Sequence, residues 1–252
     1  MYYDRKTFTD EELIVRIWDK ECIKDLISRR AFYYANNRRA DELKDLWVTE
    51  AERRRTASFG GNTGFYVGME EIEKWYVTQA KAAWFDRLRP YADSGIAVLD
   101  EKDLGFGAMA FHTANTPLIY IAEDGQTARG MWSCEGQETY GAPDGGHAYF
   151  VQAVLAGDFV REDEGWKIWH LVICNDLFVE AGQDFGNQPI SVPPEEDPIE
   201  SQFGSPTIRK AVHNSKFNWA DDYPTMPLPY DTYRDEEGYG PEGFRRFEEA
   251  RL

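Results

Sequence analysis

Little in this chain of 252 residues points to a metal, a nucleic acid or a membrane. Histidine occurs four times and cysteine three times. His112, His147, His170 and His213 are far apart, and no pair of them has metal-ligand spacing, so no metal is expected. Cys22, Cys134 and Cys174 are equally scattered. An odd, dispersed set is no disulfide framework and reads as reduced core thiols. Positive charge is scarce, with 28 Lys and Arg against 45 Asp and Glu and a net charge of −17. Such a surface repels phosphate backbones and anionic lipid, which excludes nucleic acid and membrane partners. No run of about 20 apolar residues could cross a bilayer. The opening Met1–Leu13 shows no charged-then-apolar leader, so a cytoplasmic protein is expected. The phosphate-cradling GxxxxGK[ST], the zinc-binding HExxH and the nucleophile-bearing GxSxG are missing too. Gly105-Phe-Gly-Ala-Met-Ala110 fits a loose dinucleotide pattern but leads into a strand rather than a helix, so it is no phosphate cradle. No cofactor is expected.

Aromatic residues are plentiful, at 15% of the chain. They suit either a ring-built core or a pocket for a flat organic molecule. Hydrophobic residues at 42% and a mean hydropathy of −0.61 belong to an ordinary globular domain.

The chain changes character twice. Thr9-Asp-Glu-Glu12 has the form of a helix capping box. Behind it Leu13, Ile14, Ile17, Trp18, Ile23, Leu26 and Ile27 recur at helical spacing, and the helix should break at Asn36-Asn37. A short helix is expected over Ala40–Val48. Glu50–Phe65 is mixed and runs into the loop signal Gly60-Gly-Asn-Thr-Gly64. A third helical pattern covers Gly68–Arg89, ended by Pro90. The period then becomes two, and Phe106–Ile121, Thr127–Tyr140, His147–Arg161 and Trp166–Val179 read as strands. Short Gly-bearing turns between them predict an antiparallel meander. Helices first and strands after give an α+β domain over about 1–180. From Ala181 to Leu252 the chain holds nine of its twelve prolines and ten spaced Phe, Tyr and Trp residues. This arm, 181–252, is expected to pack on the domain or on a neighbouring subunit.

Two stretches carry a family likeness: Tyr33-Tyr-Ala-Asn-Asn-Arg-Arg-Ala-Asp-Glu-Leu-Lys-Asp-Leu-Trp47, and His112-Thr-Ala-Asn-Thr-Pro-Leu-Ile-Tyr running on to Met131-Trp132. Phe159–Trp169 joins them. Together they resemble the SnoaL-like branch of the nuclear transport factor 2-like superfamily, over about residues 9–179. The resemblance implies a cone, a strongly curved antiparallel sheet wrapped on three N-terminal helices. It also implies a repertoire that includes scytalone dehydratase, bile acid dehydratase, dehydrochlorinase, ketosteroid isomerase, polyketide cyclases, diarylpropane deformylases and non-catalytic binding proteins. The dehydratase-like members pair a strand His with an Asp at the end of the first helix. The His maps onto His112. The Asp falls on Asn36, which cannot hold a charge but can orient a His tautomer.

The resemblance implies a cofactor-independent lyase acting on a small hydrophobic, aromatic alcohol, by dehydration or by retro-aldol loss of formaldehyde. His112 would take a proton near its unperturbed pKa of about 6.5, with Asn36 and Tyr33 positioning the substrate oxygen. Tyr34, Trp47, Tyr66, Tyr76, Trp132, Gln152 and His170 are the expected lining. For His170 the reason is period two, which sets Ile168, His170, Val172 and Cys174 on one face. Alternatives are an accessory protein that binds a small molecule, favoured by the Asn36 departure, and an isomerase or cyclase, whose carboxylate base would be Asp45 or Glu50. A homo-oligomer, trimer or dimer, is expected from the same resemblance.

Overall fold

The computed structural model describes residues 8–140, 146–183, 205–209 and 224–251. Helix α1 runs Asp10–Ala35, and its capping box forms as the sequence predicts. Helix α2 covers Arg39–Leu46 and α3 Ala51–Thr56. A hairpin of β1 (Ser58–Gly60) and β2 (Gly64–Val67) follows around the Gly-rich loop. One continuous helical rod comes next: α4 (Met69–Glu73), a π-helical stretch (Lys74–Gln79) and α5 (Ala80–Asp93). The remaining strands are β3 (Met109–His112), β4 (Asn115–Ile121), β5 (Thr127–Tyr140), β6 (His147–Glu162), β7 (Gly165–Glu180) and β8 (Ile208–Arg209). Helix α6, Pro241–Arg251, closes the described chain.

The strands form one sheet in the order β3-β5-β6-β7-β1-β2-β8, with β4 also on β5. Pairing is antiparallel except between β1 and β7, which run parallel. The long β5–β6–β7 meander bends at two bulges, between Gln152 and Ala153 and between Asp158 and Phe159. Its concave face closes on the helices over a core that includes Ile23, Ile27, Trp47, Phe59, Ile72, Trp132, Leu155 and Ile168.

Several expectations need correction. Phe106–Ile121 is two strands rather than one, because Thr113 and Ala114 break the ladder between β3 and β4 and both pieces share the β5 edge. Pro90 lies inside α5. It stands in the last turn, so the helix loses only the Pro90 N–H bond near its end, and Ser94 N–H closes the helix on the Pro90 carbonyl at 3.2 Å. The apolar residues of the first half of α1 do not face the core: Leu13, Ile14, Ile17 and Trp18 are exposed. The inward stripe there is polar. Arg16 donates to the carbonyls of Ile121, Ala122 and Glu123. Asp19 accepts from Trp166 Nε1 at 3.0 Å and Arg161 Nη2 at 2.6 Å. Arg16, Asp19, Ile23, Ile27, Arg30 and Tyr34 are spaced three and four apart and form one face.

The convex side of the sheet is covered by the C-terminal segment. Phe244 packs on Phe65 beside Val172 and Cys174. Tyr239 N–H and Tyr233 O–H both donate to Asp158 Oδ2, at 2.7 and 3.2 Å. The arm aromatics Phe185, Phe203, Phe217, Trp219 and Tyr223 lie outside the described residues, as does His213. Burial pushes the Asp158 carboxyl up to about 7, against the pull of Arg129 and its two donors. A folded-state pKa above the usual carboxylate value gives stability that is complete below about pH 4 and fades as pH rises through about 7. The melting temperature is therefore expected to rise on going from about pH 8 to about pH 5, and the Asp158→Asn variant should lose that part of the slope. Identical slopes in the two proteins, followed by circular dichroism, would remove Asp158 from this role.

Candidate active site

Strand β5 alternates strictly where it passes β3. Cys134, Gly136 and Glu138 are buried, while Glu135 and Gln137 are exposed. In register, His112 stands opposite Gly136, and Ala110 opposite Glu138. The His112 ring therefore lies over a residue without a side chain and reaches both diagonal neighbours. Its Nε2 is 2.8 Å from Glu138 Oε1, and its Nδ1 is 4.0 Å from Cys134 Sγ. A Cβ on Gly136 would fall 2.5 Å from the Phe111 carbonyl oxygen and 2.7 Å from His112 Cδ2. Gly136→Ala should accordingly drive the imidazole off Glu138, seen as loss of the downfield His–carboxylate proton in NMR; an unchanged resonance would contradict this.

Helix α1 brings the third member. Tyr34 O–H donates to the same Glu138 oxygen at 3.3 Å, and its ring meets the His112 ring edge-on at 5.2 Å. Tyr34 follows Arg30 by one turn on the inward stripe. Tyr33 is rotated about 100° away, and its hydroxyl donates instead to Asp45 at 2.6 Å on the exposed side. The place expected for Tyr33 is thus taken by Tyr34. Asn36 is the C-cap of α1, exposed, its amide donating to the Phe32 carbonyl at 2.7 Å. The carboxylate beside His112 comes from β5, not from the helix end.

The electrostatics follow from these contacts. Burial disfavours the imidazolium of His112, but Cys134 and Glu138 more than offset it and lift its pKa to about 9. Burial also pushes the Tyr34 phenol up to about 12, with Glu138 adding to it. At neutral pH the group is an imidazolium–carboxylate pair with a phenol attached.

Beneath it lies a second polar group. Glu42 is wholly buried, with Arg30 Nε at 3.3 Å, Tyr76 O–H donating at 2.8 Å and Trp47 Nε1 at 3.5 Å. The π-turn sets the adjacent Trp75 and Tyr76 both against Phe59, with ring centroids at 5.0 and 5.1 Å. Tyr66 stacks on Trp75 at 4.2 Å. The Arg39 guanidinium lies 5.0 Å from the ring centres of both Tyr34 and Tyr76.

Of the expected lining, then, Tyr34, Trp47, Tyr66 and Tyr76 gather around this region, and Trp132 is packed in the core against Phe159. Two residues do not join. Gln152 is exposed on β6. His170 is on the opposite face, because the bulge at Trp169 adds a residue and breaks the alternation between Ile168 and His170. Its Nδ1 is 2.8 Å from Ser58 Oγ, Gly240 covers it, and burial lowers its pKa to about 3. Asp45 and Glu50 are exposed; the buried carboxylates of this region are Glu42 and Glu138. Sequence reasoning missed Glu138, Cys134, Arg39 and Glu42. For Glu138 a signal existed, an acidic residue in phase with buried Cys134 on an alternating strand. Among the described residues no cluster of three or more His, Cys, Asp or Glu could hold a metal, and no helix is long and apolar enough to cross a membrane.

Comparison with known proteins gives a match to the SnoaL-like domain family over residues 15–172. No curated protein matches. Among solved structures, the hexachlorocyclohexane dehydrochlorinase of Novosphingobium barchaimii is 16% identical, with 71% of this chain and 97% of that one covered at a TM-score of 0.43. A protein of Kribbella flavida is 13% identical, with 64% and 93% covered at 0.46. A nuclear transport factor 2-like superfamily protein of Salmonella enterica is 14% identical, with 66% and 96% covered at 0.41.

Proposed function

The chain belongs to the SnoaL-like domain family, and from that premise we propose that it is a cofactor-independent lyase acting on a small hydrophobic, aromatic alcohol. The observation that carries the reading is the His112–Glu138–Tyr34 group, a strong base held by a buried carboxylate beside a phenol donor. Nε2 is held by Glu138 at 2.8 Å and Nδ1 meets Cys134 Sγ only at 4.0 Å, so Nδ1 is the nitrogen assigned to exchange the proton. In dehydration Nδ1 takes a proton from carbon, the C–H electron pair becomes the double bond, and the leaving hydroxyl departs as water with that same proton. In deformylation Nδ1 takes the hydroxyl proton, the C–C bond breaks with release of formaldehyde, and the carbon left with the electron pair recovers the proton. Either way the His returns to its starting state and nothing else is consumed. Tyr34 would turn its one O–H from Glu138, where it makes a long bond of 3.3 Å, to the oxygen that gains charge.

The test is turnover by purified, EDTA-treated protein on a panel of aryl and polycyclic alcohols, read by mass spectrometry as loss of water or formaldehyde. Because the base must be unprotonated, kcat/KM should rise with pH and level off near about 9. Dependence on an added divalent ion or nicotinamide would overturn the reading. No turnover on any member that binds would favour the accessory-protein alternative. The same proposal includes a cytoplasmic homo-oligomer, supported by the exposed Leu13, Ile14, Ile17 and Trp18 on α1. Light scattering should give a multiple of 29.1 kDa, and a monomer mass would reject it.

A further inference from the structure

Two donors beside the His112 group lack the acceptor that a buried donor requires. Arg39 opens α2, and its guanidinium is held between the Tyr34 and Tyr76 rings. Its neighbour Arg30 has Glu42 as counter-ion. Among the described residues Arg39 forms no ion pair: Glu42 feels its charge only from beyond bonding distance, its one hydrogen bond is a long one, from Nη1 to the Tyr76 carbonyl at 3.4 Å, and its Nε is buried without a partner. Trp75 Nε1, whose ring centre lies 5.7 Å from that of Tyr76, is also buried and unpartnered. A buried donor left unmade costs roughly 1–3 kcal/mol, more when charged. Both groups only donate, and one is a cation, so the missing partner is an anionic acceptor. Among the described residues no carboxylate lies within ion-pair distance of Arg39 to fill the position.

We propose that Arg39 and Trp75 form an anion subsite that binds the carboxylate of the substrate, so that the lyase acts on an aromatic alcohol that is also a carboxylic acid. A carboxylate fits because a planar guanidinium offers it two parallel N–H bonds, and because the flanking rings hold the guanidinium in place. The aromatic body follows from the Tyr34, Tyr66 and Tyr76 rings around the same place. Tyr34 is in contact with both Arg39, at 5.0 Å, and His112, at 5.2 Å, so the subsite adjoins the reacting group. The inference rests on reading this cluster as the substrate site, but it concerns binding and is tested without turnover.

The probes are benzoate, cinnamate and naphthoate, each paired with its uncharged alcohol, titrated into the full chain by calorimetry. At least one carboxylate should bind about tenfold or more tighter than its alcohol. Arg39→Gln should weaken that carboxylate about 10–100-fold, as expected for losing a charge-assisted bond, and leave the alcohol unchanged. Arg39→Lys, which keeps the charge and guards against a folding defect, should retain part of the preference. Trp75→Phe, which removes only the N–H, should cost a smaller factor. His112→Ala should lower turnover by about 10²–10⁴-fold and keep carboxylate binding, so that failure of the chemistry and failure of the subsite are seen separately. The proposal is overturned if no carboxylate binds tighter than its alcohol, or if folded Arg39→Gln binds it as well as the wild type.

Discussion

Alanine at position 112 is expected to lower turnover by about 10²–10⁴-fold, the usual contribution of a positioned general base. No described residue can replace it: His170 is buried on the far face of the sheet, and His147 is at an exposed strand start, paired with Glu180 at 2.6 Å. The variant leaves Glu138 buried with Tyr34, so the melting temperature should fall as well, and the assay belongs well below it. Glu138→Gln separates charge from structure. The amide can still accept from His112, but without the negative charge the imidazolium loses one of its two supports, the other being Cys134. The rising limb of kcat/KM should then move from about pH 9 toward lower pH, with a reduced plateau because a weaker base transfers the proton less readily. Asn36→Ala should leave the limb in place, since that side chain is tied to the Phe32 carbonyl. Wild-type turnover in His112→Ala, or a limb that ignores Glu138→Gln, would remove the pair from the chemistry.

These contacts show where sequence reasoning reached and where it stopped. The period of two over 127–140 and 166–179 was readable because those strands have one face in the core and pair almost without interruption. Periodicity fails at a bulge, and the extra residue at Trp169 is what carried His170 to the other face. The stripe through Ile23 and Ile27 was readable as helix. Its continuation to Arg16, Asp19, Arg30 and Tyr34 was not, because a pattern of apolar residues cannot show charged side chains that are buried with partners from distant strands. Tyr33 and Tyr34 are alike in composition and differ only by the helical rotation between them, which the inward Arg30 would have resolved. The carboxylate of the site was sought at the end of α1, where the family resemblance put it. On β5, Glu138 gains the same proximity to His112 only through the β3–β5 register, a long-range pairing that short-range patterns do not encode.

Replacing Arg30 with methionine should be the most destabilising single change in the helix layer, about 3–5 kcal/mol. Arg30 and Glu42 are both buried, at 5% and 0% exposure. Taking two charges out of water is costly, and the pair is tolerated because the guanidinium, Tyr76 and Trp47 all face the Glu42 carboxylate. Even so, burial holds the Glu42 carboxyl above the usual range. Without Arg30 the carboxylate keeps two neutral donors and the more distant charge of Arg39 but loses its nearest counter-charge, so its pKa should rise further. The sign of the pH effect follows. A carboxyl with a raised folded-state pKa penalises the fold when ionised and ceases to do so once protonated. The deficit of Arg30→Met relative to wild type should therefore shrink as pH falls toward about 5, although most acid-sensitive proteins lose stability there. Adding Glu42→Leu should recover most of the loss at neutral pH, because a matched apolar pair removes both desolvation terms. Urea denaturation of the two variants across this pH range decides the matter. A deficit that is constant with pH, or a double variant no more stable than Arg30→Met, would mean that Arg30 acts through packing against Tyr34 and Phe59 rather than through charge.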